Sequence, residues 1–166
     1  MPATGRSGFS VPMIIPRSEP SRWVTRERPK IDRIACPWLL RRFIDPFVVF
    51  EFAPADRVVA RARETGAEPY DVPGVTFNHR GDRCSFDAFL EDFDLHDPAL
   101  ERLATIVRGA DTGRPDLAPE SAGLLAISRG FGRLFDDDHE LLARAFPVYD
   151  ALYAACRDEP PRAERA

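Results

Sequence analysis

The segment "TFNHRGDRCSFDAF", Thr76 to Phe89, separates a part of the sequence with both strand and helix patterns from a part with helix patterns only. Before it, short β-rich runs alternate with helical patterns, whereas no segment after Ser85 has the alternation typical of a strand. Helices segregated behind a small sheet are typical of the α+β class. We therefore expect a single α+β domain, with a small β-sheet and helices in its N-terminal half and a helical C-terminal half.

Short strands and two helices are predicted before this segment. "WVTR" (23–26) and "FVVFEFAP" (47–54) read as strands. "EPYDVPGVTFNH" (68–79) reads as one or two short strands broken at its Pro-Gly pair. "CPWLLRRFI" (36–44) reads as a helix with its proline at the first position, and "ADRVVARARETG" (55–66) as a helix that ends at its glycine.

Four helices are predicted after this segment. "SFDAFLEDF" (85–93) is a short helix, and "DPALERLATIVRGAD" (97–111) begins with an aspartate cap followed by proline. Two longer helices follow over 119–135 and 137–156, and the second should bend at Pro147.

Length and composition indicate one soluble domain. The chain has 166 residues, of which 44% are hydrophobic, which is enough for a core. No run approaches the ~18 apolar residues that a membrane helix needs, and "VPMII" (11–15) is too short for the apolar region of a signal peptide. The three cysteines of the chain lack CxxC spacing and indicate neither a disulfide framework nor a cysteine zinc site. We therefore expect a cytoplasmic protein that does not associate with membranes.

We expect three segments along the chain: a flexible basic arm over 1–28, one domain over 29–158 and a disordered tail over 159–166. The arm is rich in Ser, Pro and Gly, and such a composition buries too little apolar area to offset the entropy of ordering. It is either a solvated tail, a segment that touches an anion, or one that packs against another subunit of a homo-oligomer.

Charge is distributed unevenly. Residues 1–30 hold six basic and two acidic residues, which leaves 17 basic and 25 acidic residues in the rest, a net charge of −8. An acidic body disfavours a phosphate backbone as partner. We therefore predict that the chain alone does not bind DNA sequence-specifically.

Three polar side chains are predicted to face the interior from the ends of three elements. Alternation places His79 on the same face as Phe77, and the apolar stripe over 100–107 continues at helical spacing to Asp111. His139 heads a series of apolar residues spaced by three and four along the last helix. Buried imidazoles and carboxylates are costly unless paired or coordinated, so the three are expected to converge.

Two imidazoles and a carboxylate suit a divalent Zn, Mn, Fe or Ni ion with open positions for water or an oxyanion. The alternative for each histidine is a hydrogen-bonded core residue, and for Asp111 it is a turn residue. Further possible ligands are Glu51, Asp82, Asp138 and Glu140.

Cys36 and a set of arginines are the other candidates for chemistry. At a helix N-terminus near basic side chains, the thiolate of Cys36 would be favoured, which predicts a reactive thiol; the alternative is a small buried residue. Guanidinium groups suit tetrahedral oxyanions, and the positive N-terminal end of the helix near Ser85 would add to them; the alternative is solvated surface arginines. The predicted oxyanion-binding residues are Arg33, Arg41, Arg80 and Arg83.

Five motifs taken together resemble the C-terminal domain of the chromate-resistance (ChrB) family. They are "KIDRIACPWLLRRFID" (30–45), "FNHRGDRCSFDAFL" (77–90), "IVRGADTGR" (106–114), "DDHELL" (137–142) and "YDALYAACRD" (149–158). The resemblance covers about Arg28 to Asp158, and we expect a standalone copy of that domain.

The resemblance implies an association with bacterial chromate resistance but no defined reaction, and its longer members are described as chromate-responsive transcriptional regulators. The leading hypothesis is a domain that binds a divalent metal and an oxyanion such as chromate, as sensor or small enzyme. The alternatives are a DNA-binding regulator and a structural module without metal.

Overall fold

A computed structural model describes residues 18–158 of the chain. Most of the predicted arm and the whole predicted tail lie outside the described residues. Within them, six helices and a three-stranded sheet form the α+β arrangement expected from the sequence. In this part of the chain no helix combines the length and apolar character needed to cross a bilayer.

The sheet is parallel, with strand order β2-β1-β3. Strand β1 (Arg22–Arg26) lies in the middle, between β2 (Val49–Ala53) and the two-residue β3 (Glu68–Pro69). Trp23 is opposite both Phe50 and Glu68 in the register. The strand predicted at "WVTR" is therefore confirmed, and it places residues 22–26 of the segment predicted as an arm at the centre of the sheet.

Each face of the sheet is covered by helices. Val24, on one face, belongs to a small apolar cluster with Val58 and Ala62 of helix α2 (Val58–Thr65). Trp23, on the opposite face, belongs to the main core, which all the other helices join. In the central strand β1, Trp23, Val24 and Thr25 are buried, as expected for a strand that is covered on both faces.

Helix α1 begins earlier than predicted. It spans Asp32–Leu39 and continues as a π-helical turn over Leu40–Ile44, so Pro37 lies inside it rather than at its first position. A proline leaves the carbonyl four residues earlier without its amide donor. Here the Tyr70 hydroxyl donates a long hydrogen bond of 3.5 Å to that carbonyl, on Arg33. The tertiary contact explains why this proline does not mark the helix start.

The remaining helices agree with the sequence to within a few residues. α2 ends at Gly66, which adopts a left-handed conformation with φ 72°. Helix α3 spans Ser85–Asp92, α4 spans Pro98–Asp111, α5 spans Ser121–Leu134 and α6 spans Asp138–Asp158. Asp97 caps α4 by accepting a hydrogen bond from the Ala99 amide at 2.8 Å, as predicted.

The segment between β3 and α3 forms no strand beyond isolated bridges, one of them between Tyr70 and Phe77. The expectation of a strand ending at His79 is therefore wrong. Positive φ angles at Asp71 and Gly74, before residues 75–79, and at Gly81, after them, turn the chain at both ends of this stretch. His79 lies in this irregular segment.

Candidate metal centre

Four side chains from four different parts of the chain meet beside the N-terminus of α1. Asp32 is the first residue of α1 and Asp111 is the last residue of α4. Asp71 lies two residues after the end of β3, and His79 comes from the irregular segment before α3. We call these four residues the Asp–His cluster.

Asp32 anchors the Asp–His cluster from within the core. Its side chain is fully buried, and its two oxygens accept hydrogen bonds from the first amides of α3, Ser85 N at 2.7 Å and Phe86 N at 3.1 Å. The positive end of α3 is thus already occupied by a carboxylate of the chain itself. This corrects the expectation that the N-terminus of α3 is available to an external anion.

His79 lies within reach of three carboxylates. Its Nε2 atom is 3.0 Å from an oxygen of Asp111, 3.4 Å from Asp32 and 3.5 Å from Asp71. Hydrogen bonding to Asp32 and Asp71 raises the pKa of His79 to about 10. Asp32 influences this pKa more than the nearer Asp111 because it is more deeply buried, where charge interactions are less screened. At neutral pH and without a metal, His79 is therefore an imidazolium.

Asp71 is held in place by partners outside the cluster. It accepts hydrogen bonds from Ser85 Oγ at 2.7 Å and from Arg26 Nη2 at 3.1 Å, and Arg33 Nε lies 3.5 Å away. Burial alone would raise the pKa of Asp71, but the hydrogen bonds from His79 and Ser85 and the two guanidinium groups lower it. Asp71 is therefore an ionised carboxylate that supports its neighbours.

Asp111 is the carboxylate with the least compensation. Burial and the charges of Asp32 and Asp71 raise its pKa to about 7, although His79 acts in the opposite direction. A carboxyl group that burial and neighbouring carboxylates hold half-protonated near neutral pH is one that a cation would ionise. Such perturbed groups are typical of functional sites.

One donor atom each from Asp32, His79 and Asp111 lies within 4.8 Å of the others, which is the arrangement of a metal-binding group. Two carboxylate oxygens and one imidazole nitrogen are ligands that Zn, Mn and Fe accept. His79 is 39% exposed and Asp111 is 17% exposed, so an ion could reach the group from solvent.

His139, the third predicted ligand, is not brought to this group. It is exposed near the start of α6, where its ring packs edge-on against Phe52 at 5.2 Å. The buried stripe of α6 begins only with Leu141 and Leu142, so the first turn carries His139 on the surface.

The further possible ligands are also engaged or exposed elsewhere. Glu51 pairs with Arg61 at 2.9 Å, Asp138 accepts a hydrogen bond from the Arg28 amide at 3.1 Å, Glu140 pairs with Arg144 at 3.6 Å, and Asp82 is exposed.

The four arginines predicted to hold an oxyanion do not converge. Arg33 lies at the cluster beside Asp71, whereas Arg41 donates to the Val48 carbonyl and Arg80 forms a bidentate pair with Asp92. Arg83 is exposed. Only Arg33 of this set therefore contributes to the cluster.

Cys36 does not have the environment predicted for it. It is fully buried in the second turn of α1 and not at its N-terminus, because the helix begins at Asp32. Burial, and then the charge of Asp32, raises the pKa of its thiol well above the usual range. The prediction of a reactive thiolate is therefore wrong.

Comparison with known proteins identifies the family. The family model described as "ChrB, C-terminal domain" matches residues 23–156. The chain belongs to the ChrB C-terminal domain family. A protein of Cupriavidus metallidurans named "Protein ChrB" is 37% identical over 145 residues, which cover 84% of this chain and 43% of that protein. The chain thus spans less than half the length of this relative, and no solved structure matches it.

This relation supports an association with chromate resistance and confirms the resemblance inferred from the five motifs. Three of those motifs supply the candidate metal ligands of this ChrB C-terminal domain: "KIDR" contains Asp32, "FNHRGD" contains His79 and "RGADT" contains Asp111. Sequence reasoning missed Asp32 and Asp71 as members of the cluster. For Asp32 the available signal was its place directly before an apolar helical pattern.

Proposed function

We propose that this ChrB C-terminal domain binds a divalent metal ion through Asp32, His79 and Asp111 and acts in chromate resistance as a sensor or small metal-dependent enzyme. The observation that carries the proposal is the approach of their three donor atoms to within 4.8 Å of one another. Of the ions considered, Zn, Mn and Fe fit a set with two oxygens and one nitrogen best.

The charge balance of the cluster supports the proposal. Asp71 is paired with Arg26 and Arg33, which leaves the carboxylates of Asp32 and Asp111 facing the imidazole of His79, and the pKa of Asp111 is raised to about 7. A divalent ion would replace the proton on His79 and the proton that Asp111 partly holds near pH 7, because both ligands bind a metal in their deprotonated forms.

The hydrogen bonds around the cluster are those expected to orient ligands. The oxygens of Asp32 are fixed by two backbone amides of α3, and Asp71 is fixed by Ser85 and Arg26. Such outer partners set the direction of a ligand and tune its basicity. Here Asp71 would act on His79 rather than as a ligand itself.

We further propose that an oxyanion binds beside the metal. This part of the proposal rests on Arg33, the predicted arginine that lies at the cluster. Its Nη1 atom donates to the carbonyl of Glu27 at 3.2 Å, so its position beside Asp71 is fixed. An anion such as chromate approaching the metal would meet this guanidinium group.

Isothermal titration calorimetry of Zn²⁺ and Mn²⁺ binding to the full chain tests the proposal. We expect binding of one ion per chain that is lost in Asp111→Ala and His79→Ala. The matched control is His139→Ala, which removes an exposed histidine outside the group and should leave binding unchanged.

The alternative is a purely structural network, favoured by the pKa of about 10 that makes His79 an imidazolium partner for the carboxylates. Wild-type protein that binds neither ion at millimolar concentration would support the network and refute the metal site. Loss of binding in His139→Ala would place the ion elsewhere.

A further inference from the structure

A basic pocket lies between the loop that joins β1 to α1 and the second half of α5. It has a volume of about 440 Å³. It is lined by Arg28, Pro29, Lys30, Arg129, Gly132 and Arg133. All four charged residues in this lining are basic, although the whole chain has a net charge of −4.

Arg28 braces one side of the basic pocket. Its guanidinium group donates to the Phe135 carbonyl at 3.1 Å and also to the Gly132 carbonyl, and it lies 3.6 Å from a carboxylate oxygen of Asp136. These carbonyls are at the C-terminal end of α5, where a cation is favourable. The charge of Arg28 therefore stabilises the C-terminal end of α5 and also contributes to the positive charge of the pocket.

The other three cations have no such partner. Across the described range 18–158, the side chains of Lys30, Arg129 and Arg133 make no ion pair or hydrogen bond and are exposed. Arg129 and Arg133 are also one turn apart on α5, and like charges at this spacing destabilise a helix by ~0.2–0.5 kcal/mol. A bound anion would remove this repulsion.

The loop that carries Lys30 is held in a strained conformation. Arg28 and Ile31, which flank it, have φ angles of 58° and 37°. Asp138 accepts a hydrogen bond from the Arg28 amide, Ser128 Oγ accepts one from the Ile31 amide at 3.2 Å, and the Tyr149 hydroxyl donates to the Ile31 carbonyl at 3.0 Å. Strain of this kind persists only where the surroundings fix it, and it is found at functional sites. The loop thus presents its lysine opposite α5 without further ordering on binding.

We infer that the basic pocket binds a small molecule that carries a phosphate or sulfate group. Guanidinium groups donate in pairs to tetrahedral oxyanions, and an ammonium group adds a point charge. The volume of about 440 Å³ falls within the range of small-molecule sites. A nucleic acid is disfavoured because the whole chain, with the four cations of the pocket included, carries a net charge of −4.

This site is separate from the proposed metal centre. None of its lining residues belongs to the Asp–His cluster, and none is among the arginines predicted to bind an oxyanion. Lys30 lies two residues before Asp32, but no proposed ligand lines the pocket, so we expect it to bind its anion in metal-free protein.

Calorimetric titration of metal-free protein with pyrophosphate tests the inference. Hydrogen bonds to charged groups contribute ~1.5–3 kcal/mol, so Arg129→Ala and Arg133→Ala should each weaken binding by about tenfold or more. Arg63→Ala, which removes an exposed arginine of α2, is the matched control and should change the affinity less than about twofold. Thermal unfolding of each variant shows whether it folds. These exposed substitutions should not lower the transition temperature, and the loss of repulsion in Arg129→Ala and Arg133→Ala should raise it slightly.

Several results would overturn the inference. They are an absence of pyrophosphate binding to the wild type at millimolar concentration, equal affinities in wild type and Arg129→Ala, and loss of binding in His79→Ala. Binding of a 20-base-pair DNA duplex with the same dependence on Arg129 and Arg133 would assign the surface to nucleic acid instead.

Discussion

Replacing Asp32 by asparagine isolates the role of the buried carboxylate in the Asp–His cluster. The Asp32 oxygens accept from the amides of Ser85 and Phe86 and lie 3.4 Å from His79 Nε2. Asparagine keeps the shape of the side chain but has only one acceptor oxygen, and its amide nitrogen is a donor. One α3 amide would therefore face a donor instead of an acceptor.

The expected loss of stability follows from this geometry. A buried donor without a partner costs ~1–3 kcal/mol, and Asp32 is fully buried, so the cost is not relieved by water. We expect the free energy of unfolding of Asp32→Asn to fall by ~1–3 kcal/mol. The pKa of His79 should also fall from about 10, because the hydrogen bond to Asp32 is the largest cause of its elevation.

Urea denaturation of metal-free protein at pH 7 measures the first effect, and an NMR titration of the His79 ring measures the second. The matched control is Asp94→Asn. Asp94 forms a contact of 2.7 Å with His96, but both side chains are highly exposed. Exposed pairs contribute little, so this variant should stay within ~0.5 kcal/mol of wild type. An Asp32→Asn variant as stable as Asp94→Asn, with the pKa of His79 unchanged, would refute the reasoning.

Three further predictions concern packing, the thiols and pH. Gly109→Ala should lower the free energy of unfolding by ~1–3 kcal/mol, because a Cβ there would lie 2.3 Å from Ser121 Oγ. Gly123→Ala, on the open side of α5, is the control and should be neutral or stabilising. Equal effects of the two substitutions in urea denaturation would contradict this prediction. Cys36 should resist iodoacetamide in the folded protein at pH 8 and react after unfolding, since burial raises its pKa; mass spectrometry that finds it modified in folded protein would contradict its burial. The pKa of His79 is raised from 6.5 to about 10, so the folded state holds this proton more tightly, and the stabilisation is complete below pH 6.5 and is lost towards pH 10. The free energy of unfolding of metal-free wild type should therefore decrease relative to His79→Ala between pH 6.5 and 8.5. Parallel curves of unfolding free energy against pH for the two proteins would argue against the shift.

The helices after Ser85 and the end of α2 could be predicted from the sequence because their signals are local. Asp97 followed by proline indicates the start of α4, and Gly66 indicates the end of α2. Pro37 misled the same reasoning. Its missing amide contact is partly replaced by the Tyr70 hydroxyl, a residue 33 positions away that no local pattern connects to it.

The site was only partly predictable for a similar reason. Asp111 could be placed at the inner end of α4 from its apolar stripe, and that helix end is where the structure has it. His79 was placed inside by assuming a strand that does not form. Asp32 and Asp71 join it through contacts between α1, β3 and α3, which depend on the tertiary fold. The wrong placement of His139 has a different cause. Helical spacing indicates which residues share a face of a helix, but it does not show whether the residue at the end of that face is buried in the core.

The most direct test of the proposed metal centre is a crystal structure of the full chain grown with Mn²⁺ or Zn²⁺, with anomalous scattering recorded on both sides of the metal absorption edge. The account predicts one strong peak between Asp32, His79 and Asp111, at roughly 2.0–2.2 Å from the ligand atoms. A peak at the exposed His139 would contradict it, and so would the absence of a peak at this group in crystals grown in the presence of the ion.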